Sequence, residues 1–517
     1  MSDGSIRRLL SKTRSILFPV ERHELIRVLP MCLLSFGIVF IYNILRCVKD
    51  SMLITAPNSG THALPFAKIW VLLPMAFFLS AVFYKLSHRL TTTKLFYAII
   101  CGFLAFFALF TFVLYPLGDT IHLHGLADWL QGHLPSGLIG MIAVIRYWSY
   151  ALFYVMAELW GAMCLTVLFW GYASEITKIE EAKRFYSLFA ISANLSGCVA
   201  GWCTMAFVKA TWGSSNPHYH SLLLTTLAVL GTGVALLFLF RWYHFQVVSP
   251  RMEVSQVGID RKLKKMRSKA SLLGSFAHIS RSKYLLSIAT VAVAYNIVIY
   301  LVEVAWKEHV KMVYSDKALY NAYFGQVTIV TSIVSTVMAL FTSYAIRRFG
   351  WTRVALVTPI VLLITSLGFF GLQYLSGYSV STVAAIFGMS AANFILFFGS
   401  AQNVMSRASK YTVFDATKEM CFIPMSKESR LQGKAAIDGV GSRLGKSGGA
   451  AIYQAMFLLS GKEVAAIIPW IGGMLVVILG GWIIAVRNLG RHFAKAERDH
   501  IDVVEEVSLP EPERQTV

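Results

Sequence analysis

Twelve apolar runs, each close to the length that crosses a bilayer, constrain this chain more than any other feature. They lie at about 29–46, 67–87, 95–115, 141–172, 185–209 and 219–241 in the first half of the sequence. The second half carries them at about 284–306, 322–346, 352–375, 381–404, 434–460 and 464–487. A hydrocarbon core about 30 Å thick requires roughly 20 apolar residues in helical form. The run at 141–172 is long enough for two short spans and is read as one long tilted helix. Composition agrees with this class: 56% of the 517 residues are hydrophobic and 14% are charged, against about 25% charged in soluble domains.

Loop charges test the count, because basic residues favour the cytoplasmic side. Arg7, Arg8, Lys12, Arg14, Arg22 and Arg27 precede or open the first run, and "RKLKKMRSK" at 261–269 follows the sixth. Arg347 and Arg348, then Arg407 and Lys410, then Arg487 and Arg491 mark the ends of later runs. All fall on one side of an even-numbered topology with both termini cytoplasmic, whereas residues 116–139 contain no Lys or Arg. The net charge of +20 then sits mainly in short loops facing anionic lipid. A membrane-lipid partner is expected and a nucleic-acid partner is not.

The seven cysteines are an odd number with no CxxC. Cys32, Cys101, Cys164, Cys198 and Cys203 fall inside apolar runs, so neither a disulfide framework nor a zinc site is implied. His122, His124 and His133 share one loop, read as solvated rather than metal-binding. No short apolar core with a cleavage site opens the chain, so no cleaved signal peptide is expected.

The expected organisation is an all-α membrane protein of about twelve transmembrane helices in two six-helix halves, major-facilitator-like. Residues 1–28 form a cytoplasmic N-terminal segment, 29–242 the first half, 243–283 a basic cytoplasmic linker, 284–487 the second half and 488–517 a cytoplasmic tail. Carriers of this plan bind substrate near the bilayer midplane between the halves. A monomer without cofactor or metal is expected.

Charges that a membrane should exclude carry the functional signal. An ionisable side chain at the centre of a span costs about 2.5–3.5 kcal/mol, so it usually has a partner or a ligand. "YNILRCVKD" places Tyr42, Arg46 and Lys49 on one helical face. "RYWSYALFYVMAELWG" carries Tyr147, Tyr150, Tyr154 and Glu158 in a stripe. "YNIVIYLVEVAWKEH" aligns Asn296, Tyr300, Glu303 and Lys307, and the eleventh run contains Asp438, Arg443 and Lys446. Arg46, Lys49 and Lys307 could instead lie at span ends and snorkel to water. Glu158 and Glu303 could form structural ion pairs with Arg146 or Lys446, and the tyrosines taken singly fit packing. The recurrence across both halves favours one cavity. Cations there suit a polyanion, aromatic faces suit a planar base, and carboxylates could accept hydrogen bonds, pair with the cations or carry protons.

"GVGSRLGKSGG" at 439–449 looks like a phosphate-binding P-loop, but that motif needs a glycine five residues before Gly445, and Val440 stands there. Gly441, Gly445 and Gly449 instead follow the small-residue spacing that lets membrane helices approach closely. Lys446 is read as a phosphate-binding cation inside a carrier, not as part of a hydrolase.

These stretches also resemble a family. "FPVERHELIRVLPM", "ILRCVKD", "AELWG", "LFWGYASEITKIEEAKRFY", "LVEVAWK", "RRFGW", "FDATKEMCFIP" and "GKAAIDGVGSRLGKSGG" run from about residue 18 to 487. Together they are similar to the non-mitochondrial nucleotide transporters of plastids and of obligate intracellular bacteria such as chlamydiae, best known as ATP/ADP translocases. The resemblance implies that Lys49, Glu158, Glu303 and Lys446 matter for transport. Strict exchangers of the family read Arg-Asp-Thr-Lys-Asp where this chain has Arg46-Cys47-Val48-Lys49-Asp50.

The resulting expectation is a carrier, not an enzyme, in a cell inner membrane. It would import nucleoside triphosphates by alternating access, by nucleotide exchange or with protons, with ATP, ADP, GTP, UTP and CTP as candidate substrates. Arg46, Lys49 and Lys446 would hold phosphates. Tyr150, Tyr154, Asn296, Lys307 and Arg443 would complete the site, and Glu158 and Glu303 would couple it. Strict ATP/ADP antiport is the alternative, and a membrane ATPase or a channel stands below both.

Overall fold

The computed structural model describes residues 24–177, 179–248, 283–375, 378–422, 425, 437, 441–461 and 464–499. Among the described residues there is no strand, as expected where lipid leaves backbone groups no outside partner. Twelve long helical segments occupy the twelve apolar runs. The first six are α1 (Leu25–Ile54), α2 (63–89), α3 (92–114), α4 (148–176), α5 (Ile179–Thr211) and α6 (217–248). The second six are α7 (Lys283–Val313), α8 (Lys317–Phe349), α9 (Trp351–Tyr374), α10 (391–421), α11 (Ser442–Ser460) and α12 (Val464–Asp499).

Ten of the twelve are long and apolar enough to span a bilayer. α10 does so only together with a preceding short helix, Val380–Ile386, bent from it by 81°. α11 is shorter, at 19 residues, and owes its polarity to Lys446 and its small residues. The start of α1, the end of α6, the start of α7 and the end of α12 share one face with every second turn, here called the terminal side. The other turns, including 55–62 and 115–147, form the distal side.

Two expectations need correction. The run at 141–172 is not one helix: Ile139–Arg146 ends at Tyr147, whose φ/ψ of −108°/48° is not helical, and α4 starts afresh at Trp148. Nor does the tenth span stop near 404. Helix Ala391–Ser409 continues through a π-turn, Lys410–Phe414, to Cys421. Arg407 is therefore not a loop charge but a buried residue, 6% exposed.

The halves meet along α5 and α8, where two glycines remove the side chains that would hold the backbones apart. A Cβ on Gly325 would come within 2.8 Å of the Gly201 carbonyl oxygen. On the distal side the halves are also latched. Lys311 Nζ donates to the Ser59 carbonyl at 2.9 Å, Thr61 hydrogen-bonds Glu308, and Gln454 Nε2 donates to the Pro65 carbonyl at 2.9 Å. A Cβ on Gly137 would meet the Phe457 carbonyl oxygen at 2.5 Å, so backbone is close to backbone here as well.

Candidate functional site: a buried ion-pair network between the halves

One turn inside the distal latch, charged side chains from α1, α4, α7 and α10 form a continuous chain. Lys49 Nζ lies 3.1 Å from Glu158 Oε1 and 2.9 Å from Asp50 Oδ1. Asp50 Oδ2 lies 2.8 Å from Lys307 Nζ, which crosses to the other half. Lys307 Nζ is 2.7 Å from Glu303 Oε1, and that oxygen also accepts from Arg407 Nη2 at 3.0 Å. Arg407 Nε donates to Asn403 Oδ1 at 2.7 Å. Cation and carboxylate alternate from one half to the other, which is how so many charges are accommodated away from water.

The network has a sealed floor and a more open face. The side chains of Lys49, Asp50 and Lys307 are 1–2% exposed, whereas Glu158 and Glu303 retain 21% and 16%. Lys49 and Lys307 therefore do not snorkel, and Glu158 takes Lys49 as its partner. Arg146 pairs instead with Asp128 at 2.6 Å on the distal side. Arg46 is half-buried and lies within electrostatic reach of Glu303. Lys446 is exposed and acts on Glu158 from a distance. α11 approaches α7 closely enough to place it there because glycine is required at the contact: a Cβ on Gly445 would lie 2.6 Å from the Asn296 Cβ, and one on Gly449 2.9 Å from the Tyr300 ring.

Two lysines of the first half each face a tyrosine, one in their own half and one across the seam. Lys49 Nζ sits 4.1 Å from the centroid of the Tyr154 ring, and Lys68 Nζ sits 4.0 Å from that of Tyr300. Such cation–π contacts strengthen when desolvated. The hydroxyls of Tyr154 and Tyr300 are buried without a hydrogen-bond partner, a costly state that a ligand or water would relieve.

Not every expected site residue joins this cluster. Tyr150 and Tyr147 lie one to two turns towards the distal side and line a separate cavity. Asn296 donates its amide to the Ala292 carbonyl at 2.8 Å and packs beneath Gly445. The Arg443 side chain and Asp438 lie outside the described residues. Cys47 is fully buried, with Sγ 3.5 Å from Thr328 Oγ1 at the seam between the halves. It lines that seam rather than the charged network.

Three members escaped the sequence reading. Asp50 is the central carboxylate, one residue from Lys49. Lys68 interrupts the apolar stretch "LPFAKIWVLL", a signal of the same kind as Glu158, and its π-turn, Ala67–Leu72, is a distortion common at functional sites. Arg407 falls at the end of its apolar run in the sequence because the tenth helix is longer than that run.

Known proteins share the sequence and the architecture. "ADP,ATP carrier protein 1" of Chlamydia pneumoniae is 39% identical over 505 residues, covering 96% of this chain and 98% of that protein. "ADP,ATP carrier protein 2, chloroplastic" of Arabidopsis thaliana is 38% identical, covering 92% of this chain and 76% of that protein. Among solved structures, a D-xylose–proton symporter aligns over 88% of this chain and 97% of its own, with a TM-score of 0.55 at 13% identity. A bacterial metal transporter aligns over 91% and 98%, with a TM-score of 0.52 at 14% identity. Those two likenesses show a shared fold and nothing beyond it. The TLC ATP/ADP transporter family model matches residues 4–493, and with relatives this similar over nearly the whole chain, the protein belongs to that family of transporters.

Proposed function

We propose that this chain carries nucleotides across a cell inner membrane by alternating access, exchanging one nucleotide for another, with both termini cytoplasmic and the distal side outside. The observation that carries the reading is the charge balance of the central site. Among the described residues, Arg46, Lys49, Lys68, Lys307, Arg407 and Lys446 surround the three carboxylates Asp50, Glu158 and Glu303. The surplus of cations suits a polyphosphate. Among the described residues no carboxylate lies in ion-pair range of Arg46, Lys68 or Lys446, so these three would take the first phosphate oxygens.

The network then serves as the switch. Phosphates entering from the open face compete for Lys49, Lys307 and Arg407, and each cation they capture releases Glu158, Asp50 or Glu303. Because Asp50–Lys307 joins the halves, loading the site loosens the contact that holds them. The names of the relatives support adenine nucleotides, and the open face leaves GTP, UTP and CTP as further candidates.

A second reading is import coupled to protons. A triphosphate carries close to four negative charges, and each charge moved against 100 mV costs about 2.3 kcal/mol. Exchange offsets most of this; protons on Glu158 and Glu303 would be the other means. In this conformation both carboxylates already have cationic partners, which favours exchange. Cys47, where strict exchangers carry an acid, is the sequence feature that supports the proton-coupled mode.

Uptake of the four labelled nucleoside triphosphates into cells or proteoliposomes tests both readings, with and without internal nucleotide and at two pH values. Exchange requires uptake that depends on internal nucleotide. Uptake that ignores internal nucleotide and collapses with a protonophore supports the proton-coupled reading. Absence of saturable uptake for all four would overturn the nucleotide assignment.

A further inference from the structure

The distal side carries a second aromatic and basic site that the transport cycle described above does not use. A cavity of about 610 Å3 lies between the ends of α3, α4 and α6 and the start of α8, and none of the ion-pair network lines it. Its volume falls in the range of small-molecule sites. One wall is a ladder of four tyrosines. Tyr219 stacks on Tyr115 at 5.7 Å between centroids, Tyr115 on Tyr150 at 5.9 Å, and Tyr150 on Tyr147 at 5.5 Å. The Tyr147 hydroxyl is anchored on the Pro57 carbonyl at 2.9 Å, which fixes the inner end.

Cations face this ladder from two directions. Lys317, the first residue of α8 and the second half's contribution, holds its Nζ 5.6 Å from the Tyr150 centroid. Arg146 is 3% exposed; one of its terminal nitrogens serves Asp128 and Gln131, and its Nε is buried without a hydrogen-bond partner. His122 is held by Ser149 at 2.8 Å, and burial pushes its ring down to about 4, so it is uncharged at neutral pH. Asp119 is the carboxylate of the lining. Stacked rings with a lysine and a buried guanidinium whose Nε is unpaired suit a ligand with a flat aromatic part and an anionic part.

We infer that this distal cavity is a second nucleotide site, filled from outside while the latch is closed. The ligand's base lies along the tyrosine ladder and its phosphates reach Lys317 and Arg146. The assignment rests on the proposed substrate class and orientation. Lys317 belongs to one half and the tyrosines to the other, so the bound nucleotide bridges the halves beside the latch. Tyr150 and Tyr154 then sit one helical turn apart on α4, the first in the outer site and the second against Lys49.

Photolabelling of the purified full-length protein with 8-azido-ATP, mapped by mass spectrometry, tests the inference. The expected label is displaced by excess ATP, falls on peptides containing Tyr115, Tyr150 or Tyr219, and persists in Lys49→Gln. Lys317→Gln and Tyr219→Ala should each reduce it about tenfold, the scale of one lost stacking or charge contact. In intact cells the same two variants should raise KM for external nucleotide about tenfold while Vmax stays within about twofold. ATP-displaceable label confined to the central helices overturns the second site and leaves the transport reading standing. Label at the tyrosines that ATP does not displace also overturns it. No displaceable label anywhere, together with no uptake, overturns both.

Discussion

Lys307 Nζ lies 2.8 Å from Asp50 Oδ2, and this pair is the only ion pair among the described residues that joins the two halves of the protein. Both side chains are sealed from solvent, so neither can trade its partner for water. Removing one member of a buried pair typically costs about 3–5 kcal/mol, because the other is left uncompensated. Asp50→Asn should therefore lower the thermal unfolding temperature in detergent and cut nucleotide uptake at least roughly tenfold. The double variant Asp50→Asn/Lys307→Gln should recover much of the thermal stability but not the uptake. Uptake in Asp50→Asn equal to that of the unmodified protein would remove the pair from the mechanism.

Lys68 and Lys446 approach the site from opposite halves, and each acts on Glu158. If both bind phosphate, Lys68→Gln and Lys446→Gln should raise KM for a triphosphate more than for the corresponding monophosphate, by about tenfold or more. Both proteins should insert normally, since neither lysine holds an ion pair with a described residue. Equal losses for triphosphate and monophosphate would argue that Lys68 only supports the Tyr300 ring.

Glu158 and Glu303 decide between the two modes of coupling. In exchange, uptake into nucleotide-loaded proteoliposomes should vary less than about twofold between pH about 6 and about 8. Glu158→Gln and Glu303→Gln should then lower the rate at every pH alike. If instead uptake rises on external acidification and either substitution flattens that rise, the carboxylate concerned carries the proton and exchange is not obligatory.

The distal latch can be locked. Ser136 Oγ donates to the Gly461 carbonyl at 3.4 Å across the halves, and a Cβ on Gly461 would lie 3.0 Å from that hydroxyl oxygen. The pair Ser136→Cys/Gly461→Cys should form a disulfide on oxidation, despite the cost of a side chain at the positive φ of Gly461. Uptake should stop when the bond forms and return on reduction. Full activity with the crosslink demonstrated by mass spectrometry would mean that these segments do not separate during transport.

Much of this architecture is legible in the sequence because the bilayer imposes one simple rule on apolar runs. The proximity of Lys49, Glu158, Glu303 and Lys307 is legible for the complementary reason: each violates that rule. What was not legible depends on helix geometry rather than composition. Arg407 looks like a loop residue until α10 is seen to continue through a π-turn. Tyr150 and Tyr154 share a stripe with Glu158, yet a stripe covers several turns, and only the deeper tyrosine reaches Lys49. Asp50 beside Lys49 is not legible because a carboxylate near a span end looks ordinary until its partner from the other half is in place. The side of the helix that Cys47 occupies, towards Thr328, likewise requires α8 to be in place.

The glycine crossing of α5 and α8 constrains how the molecule can move. Flexible side chains between two helices act as a lubricant layer that can be resheared; bare backbone against bare backbone, as at Gly201 and Gly325, offers none. Sliding would drive Cα into carbonyl oxygen within a fraction of an ångström, whereas rolling about the point of contact costs little. The crossing is thus a fulcrum. It lies about 35 Å from the terminal-side ends of both helices, at about 1.5 Å per residue, and less than half as far from their distal ends. With such unequal arms a small parting at the latch becomes a movement roughly two to three times larger at the terminal-side ends, so the protein is geared: a few short distal contacts govern a longer travel on the opposite side.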